Sequence, residues 1–248
     1  MKNQFEIGSE KLSIDKLKEI IDGNYLLALT ETCREKIIRC RQYLDEKMKD
    51  SSAIYYGINT GFGSLCNVKI SNDEIEKLQE NLVLSHACGM GSEVKPEIVK
   101  LMLLLKIQSL SYGNSGVDIT TVWRLIDFYN HDILPVVYQQ GSLGASGDLA
   151  PLAHLCLPLL GHGEVYYRGE KHQSAEILKA FKWQTLKLKS KEGLALLNGT
   201  QFMSAHACHA LIHSKDILQR ADEIAAMSLD AFDGRTEPFN HLIHDVRP

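Results

Sequence analysis

The sequence predicts a mainly α, multihelical chain with minor short strands and one hairpin. Three observations predict it. Apolar residues recur at helical spacing through most of the 248 positions. Capping residues and glycine stops bracket those stretches. Segments with strand character are few and short, the clearest hairpin being Val165-Tyr166-Tyr167-Arg168-Gly169-Glu170-Lys171.

In chain order, Ser13-Ile14-Asp15 opens a short helix that ends near Gly23, and the apolar run Asn24 to Thr30 reads as a strand or extended segment. Residues 33–49 are helical, with Ile37, Cys40, Leu44 and Met48 near one face. Ile54 to Gly63 is a glycine-punctuated loop. Asn72-Asp73-Glu74 begins a helix with Ile75, Leu78 and Leu82 on one side and Gly89 as its stop. Pro96 and Glu97 start a strongly apolar helix to about Tyr112, terminated by Gly113-Asn114-Ser115-Gly116. Another helix runs from about Asp118 to Tyr129. Asp148 begins the next, with Pro151 tolerated in its first turn, where a missing N–H matters little. Ser174 caps a short helix, and from Glu192 the pattern is helical nearly to the end, with breaks near Gly234 and Pro238. No linker divides residues 1–248, so no independent second domain is expected, and no stop signal closes a domain at Asp245-Val246-Arg247-Pro248.

The bulk numbers exclude several classes. A net charge of −4 and a pI near 6.2 leave no electrostatic footprint for nucleic acid and no polybasic membrane anchor. The longest apolar stretch, Ile98 to Ile107, is interrupted by Lys100 and Lys106 and is too short to span a bilayer. Six cysteines without a CxxC pair, behind an N-terminus that has no apolar leader, point to reduced thiols in the cytoplasm.

Four segments carry chemistry. Gly141-Ser142-Leu143-Gly144-Ala145-Ser146-Gly147-Asp148 is a small-residue loop running into a helix N-terminus, where unpaired N–H groups and the helix dipole favour negative charge. By itself it is equally a flexible loop or an anion-binding turn. Tyr56-Gly57-Ile58-Asn59-Thr60-Gly61-Phe62-Gly63 could bring a phenol close to a ligand, or simply bury a tyrosine; no Gly-Lys-Ser/Thr follows, so it is not a P-loop. Leu82-Val83-Leu84-Ser85-His86-Ala87-Cys88-Gly89 places a histidine at a helix end, which alone is more often structural. Glu192-Gly193-Leu194-Ala195-Leu196-Leu197-Asn198-Gly199-Thr200-Gln201 carries an Asn-Gly step unsuited to a helix interior, hence a turn or kink.

Together, and in this order, these segments resemble the aromatic amino acid ammonia-lyases, with weaker similarity along essentially the whole chain. The resemblance implies that fold with its C-terminal helical bundle truncated, so that residues 1–248 are its N-terminal part. It implies that Ala145-Ser146-Gly147 cyclises by itself to a methylidene-imidazolone: the Gly147 amide nitrogen attacks the Ala145 carbonyl and Ser146 loses its hydroxyl as water. No diffusible cofactor is then needed. It further implies Tyr56 as base for the substrate β-proton and Asn198 as an active-site hydrogen-bonding group. Ser85-His86 resembles the histidine enzymes of the family, whereas phenylalanine and tyrosine enzymes carry Phe-Leu and His-Leu there. A polar imidazole suits an imidazole substrate, so the expected reaction is elimination of ammonia from L-histidine to trans-urocanate. Attack by the substrate amine and attack by its ring both remain open. A homotetramer is expected for the whole protein.

Three other readings stand beside this one. A phenylalanine or tyrosine ammonia-lyase, or an aminomutase, would share the electrophile. His206, His209 and His213, at i, i+3 and i+7, could line a metal site on one helix face, but HExxH and a second ligand element are missing, so no metal is expected. Finally, a chain without the family's C-terminal half could be a non-catalytic fragment.

Overall fold

A computed structural model describes residues 3–49, 54–61, 68, 70–71, 74–143 and 147–246. Two compact units result, residues 1–208 and 209–248. The division falls inside a continuous helix rather than at a linker.

The first unit opens with a parallel pair, β1 (Gln4–Ile7) and β2 (Leu26–Leu29), joined through helix α1 (Ile14–Asp22). Ser13 caps α1 by accepting the Lys16 N–H, and Gly23 closes it, as the sequence predicts. β1 was not expected: Phe5 and Ile7 alternate inward over too few residues to give a pattern. The side-chain amide of Asn130 extends this sheet, accepting from Leu27 N–H and donating to Leu27 C=O.

Helix α2 (Glu31–Met48) starts two residues earlier than its apolar pattern, because Thr30 caps it through the Cys33 N–H. α3 spans Ile75–His86 and stops short of Gly89, which instead leads into strand β3 (Met90–Glu93). α4 (Pro96–Ser111) is the core helix, buried around most of its circumference. It packs on α2 and on α5 (Ile119–Asn130), whose cap is Asp118.

The remaining strands are short. β3 pairs antiparallel with β5 (Tyr138–Gln140), while β4 (Leu134–Pro135), β6 (Glu164–Tyr167) and β7 (Glu170–Gln173) form a third sheet that contains the expected hairpin. α6 (Leu149–Cys156) and a 3-10 turn Leu157–Leu160 lie between β5 and β6, and α7 (Ser174–Ala180) follows β7. Ser174 is the first residue of α7 rather than its cap, and its hydroxyl donates to Gly163 C=O.

α8 (Glu192–Leu197) and α9 (Gln201–Ala231) replace one long helix. Asn198 takes extended geometry and Gly199 sits at φ +149°, which ends helical hydrogen bonding between them. The second unit holds the remainder of α9, a 3-10 turn Glu237–Phe239 and α10 (His241–Asp245). Most of its large apolar side chains, Ile217, Leu218, Ile224 and Met227 among them, are exposed.

Candidate active site

Three of the four chemistry-bearing segments lie on helices that pack on one another pairwise: α3 ends in Ser85-His86, α6 begins after Gly147-Asp148, and α8 ends at Asn198. Two long-range bonds bring the relevant ends together. The Gly89 N–H donates to His154 Nε2 on α6 at 2.9 Å, fixing the chain just past His86. The Asp148 carboxylate accepts the Met203 N–H at 3.1 Å, so it caps the first turn of α9, three residues past the Asn198–Thr200 break, and not the first turn of its own helix. The β3–β5 ladder adds a third tie, Met90 opposite Gln140, beside Gly141.

Each candidate has a defined place. His86 Nδ1 lies 2.8 Å from Leu82 C=O. A carbonyl only accepts, so Nδ1 carries the proton and a neutral ring leaves Nε2 as an acceptor. Ser85 Oγ donates to the same carbonyl at 3.2 Å. Asn198 is exposed, and its Nδ2 donates to Leu194 C=O at 3.1 Å, closing the end of α8. Tyr56 is 62% exposed on the 54–61 loop, outside the helical trio. Asn59 and Thr60 pin that loop by accepting the Tyr55 and Gly57 N–H groups. Ala145 and Ser146 lie outside the described residues. Gly147 has φ +79° and nothing within 4 Å of where a Cβ would stand, so backbone conformation, not crowding, demands glycine there.

Sequence reasoning missed the groups that hold these segments. Lys106 on α4 is 1% exposed and donates to Ala195 C=O at 3.1 Å and Asn198 C=O at 3.0 Å. Burial pushes its amine down to about 8, while the charges of Cys156 and Asp148 pull the other way. The Cys156 thiol is pushed up to about 12 by burial. Glu192 is buried and accepts from Asp118 N–H, Lys189 N–H and Thr121 Oγ1. Desolvation raises its carboxyl above the ordinary range. Burial also lowers the imidazole of His154, in keeping with an Nε2 that must stay unprotonated to accept from Gly89. Lys106 had left one trace in the sequence, a charge interrupting an apolar helix.

His206 packs edge-on against Phe202, and the rings of His209 and His213 lie 4.3 Å apart. Among the described residues no group of three His, Cys, Asp or Glu side chains is placed to hold a metal ion, and no helix is long and apolar enough to cross a membrane.

The helical arrangement recurs in solved ammonia-lyases and aminomutases. A histidine ammonia-lyase from Trypanosoma cruzi superposes with a TM-score of 0.88 at 32% identity, over 99% of this chain and 48% of that one. A phenylalanine aminomutase from Pantoea agglomerans gives 0.88 at 28% identity, over 99% and 47%. The fold is thus the mainly α architecture of the ammonia-lyases and aminomutases. The chain belongs to the aromatic amino acid lyase family, whose sequence model matches residues 12–248. Among curated relatives, a histidine ammonia-lyase of Legionella pneumophila is 44% identical over 247 residues, covering 100% of this chain and 49% of its own length. The chain spans about half the length of the curated relatives it matches.

Proposed function

We propose that this chain is the N-terminal part of a cytoplasmic, homotetrameric lyase that eliminates ammonia from L-histidine to give trans-urocanate. The observation that carries the substrate is the pair Ser85-His86: with Nδ1 committed to Leu82 C=O, His86 offers an Nε2 acceptor suited to a substrate imidazole N–H. A pocket for a phenyl ring would leave that nitrogen unpaired. The names of the relatives support the same substrate. The five described cysteines are free thiols, which fits a reducing compartment.

Ala145-Ser146-Gly147 is assigned as source of a methylidene-imidazolone. The described part of the loop fits that group: Gly147 holds a conformation that L side chains rarely adopt, it is uncrowded on the side a Cβ would occupy, and it leads into α6. Formed there, the ring would supply an electrophile that the twenty side chains lack. Tyr56 is assigned to take the β-proton. An ordinary tyrosine, with a pKa of about 10, would need its phenol acidified by the bound substrate and completed site to act near neutral pH. Asn198 is assigned to hydrogen-bond at the reacting centre. The 248-residue chain alone is expected to be inactive.

The test uses the full-length protein. Ring closure removes two waters, so the peptide containing Ser146 should be lighter by about 36 Da than its sequence mass. L-Histidine should yield urocanate, and Ser146→Ala should abolish both the deficit and the turnover. An unmodified peptide in an active enzyme would refute the electrophile. Preference for phenylalanine or tyrosine, or formation of a β-amino acid, would move the assignment to a neighbouring activity of the family.

A further inference from the structure

Lysine is rarely buried without a reason, because desolvating its charge is expensive and an apolar side chain would fill the same space. Lys106 is 1% exposed in the middle of α4, a helix buried around most of its circumference. Its Nζ is directed at backbone: 3.0 Å to Asn198 C=O and 3.1 Å to Ala195 C=O. Helix ends leave such carbonyls without partners of their own, and here the lysine supplies one. The segment it holds is where helical bonding is interrupted. Asn198 is extended, Gly199 stands at φ +149°, and helical bonding resumes only in α9. On the far side of the break, Asp148 receives the Met203 N–H. The exposed Asn198 side chain, its Nδ2 donating to Leu194 C=O, is therefore carried by a backbone whose own oxygen Lys106 holds.

We propose that Lys106 is a positioning residue for Asn198, gripping the backbone oxygens at the end of α8 so that the asparagine amide meets the substrate in one orientation. This rests on Asn198 being an active-site group. Nothing about the lysine touches substrate; it acts through the peptide it holds.

A double-variant cycle in the full-length protein tests it, with amide exchange as a readout independent of activity. Lys106→Met should fold with an equal or higher Tm, because a buried charge is gone. It should speed exchange in the peptide spanning residues 196–203 and leave the 164–173 hairpin unchanged. With L-histidine, kcat should fall about 10- to 100-fold while KM moves much less and the 36 Da deficit stays, as expected for a misplaced group of about 1 Å or less. In an Asn198→Ala background the same change should lower kcat no further, since residues acting as a unit are not additive. Unchanged exchange at 196–203, or a full additional loss in the double variant, would overturn the proposal. Should Lys106→Met fail to fold, Lys106→Gln replaces it in the same cycle with the same outcomes. If the wild type has neither deficit nor turnover, the electrophile reading fails separately, and the exchange result alone decides whether Lys106 holds this segment.

Discussion

Inside the frame, Lys106, Asp148 and Glu192 are buried, and their charged groups are bonded to backbone donors or acceptors. At the surface, Tyr56, Ser85 and Asn198 are exposed. The two sets share the same kinds of atoms and differ in burial: Ser85 and Asn198 also donate to backbone carbonyls, but from the surface. A buried ion must be fully satisfied by fixed partners or it unfolds its surroundings. An exposed polar group needs no such partner, because water is its reference state, and it can exchange that water for a ligand. The difference predicts that surface variants lose chemistry at constant stability, and frame variants lose stability first. Lys106 is the member of the frame expected to cross that line, since its removal relieves a buried charge.

The largest effect should come from Tyr56→Phe in the full-length protein. If Tyr56 moves the β-proton, kcat falls about 100- to 10,000-fold. Thermal melting should not shift, because the residue is exposed; a Tm drop would place it in the frame instead. Glu192→Ala is the converse. It strands two backbone N–H groups and a threonine hydroxyl, and should destabilise this chain by about 3 kcal/mol in urea unfolding. A change under about 1 kcal/mol would mean that water replaces the carboxylate.

Next comes His86→Leu, which removes the Nε2 acceptor. The expected loss in kcat/KM for L-histidine is about 10- to 100-fold, with improved relative use of phenylalanine or tyrosine. Equal loss for all three substrates would separate His86 from specificity. The smallest effect is in the acid limb of stability. His154 has its pKa lowered by burial, so the folded chain binds fewer protons there than the unfolded one. Its contribution is complete above the unfolded value of 6.5 and is lost as pH falls through the folded one. His154→Gln, whose amide oxygen can still accept from Gly89, should flatten the pH dependence of Tm below that value; identical slopes would argue against it.

Much of the helical frame was legible because it is written locally. Ser13, Asp118, Pro96 and Gly23 mark helix ends by their own chemistry, and α2 through α5 follow apolar spacing. The strands were harder. β1, β3, β4 and β5 are four residues or fewer and owe their pairing to neighbours distant in sequence, whereas the β6–β7 hairpin announces its own turn. The break at Asn198-Gly199 was open as turn or kink, and the tertiary ties on either side make it a break between two helices.

By itself the sequence determined roughly where most of the helices lie and which family the chain resembles. Those features depend on backbone conformation and short-range order, which a linear string records directly. Only the tertiary structure decided that Lys106 grips Asn198, 92 residues away, that His154 holds Gly89 across 65, and that Asp148 caps a helix 55 positions on. A buried polar group takes whatever partner folding brings within about 3 Å, and sequence separation carries no information about that distance.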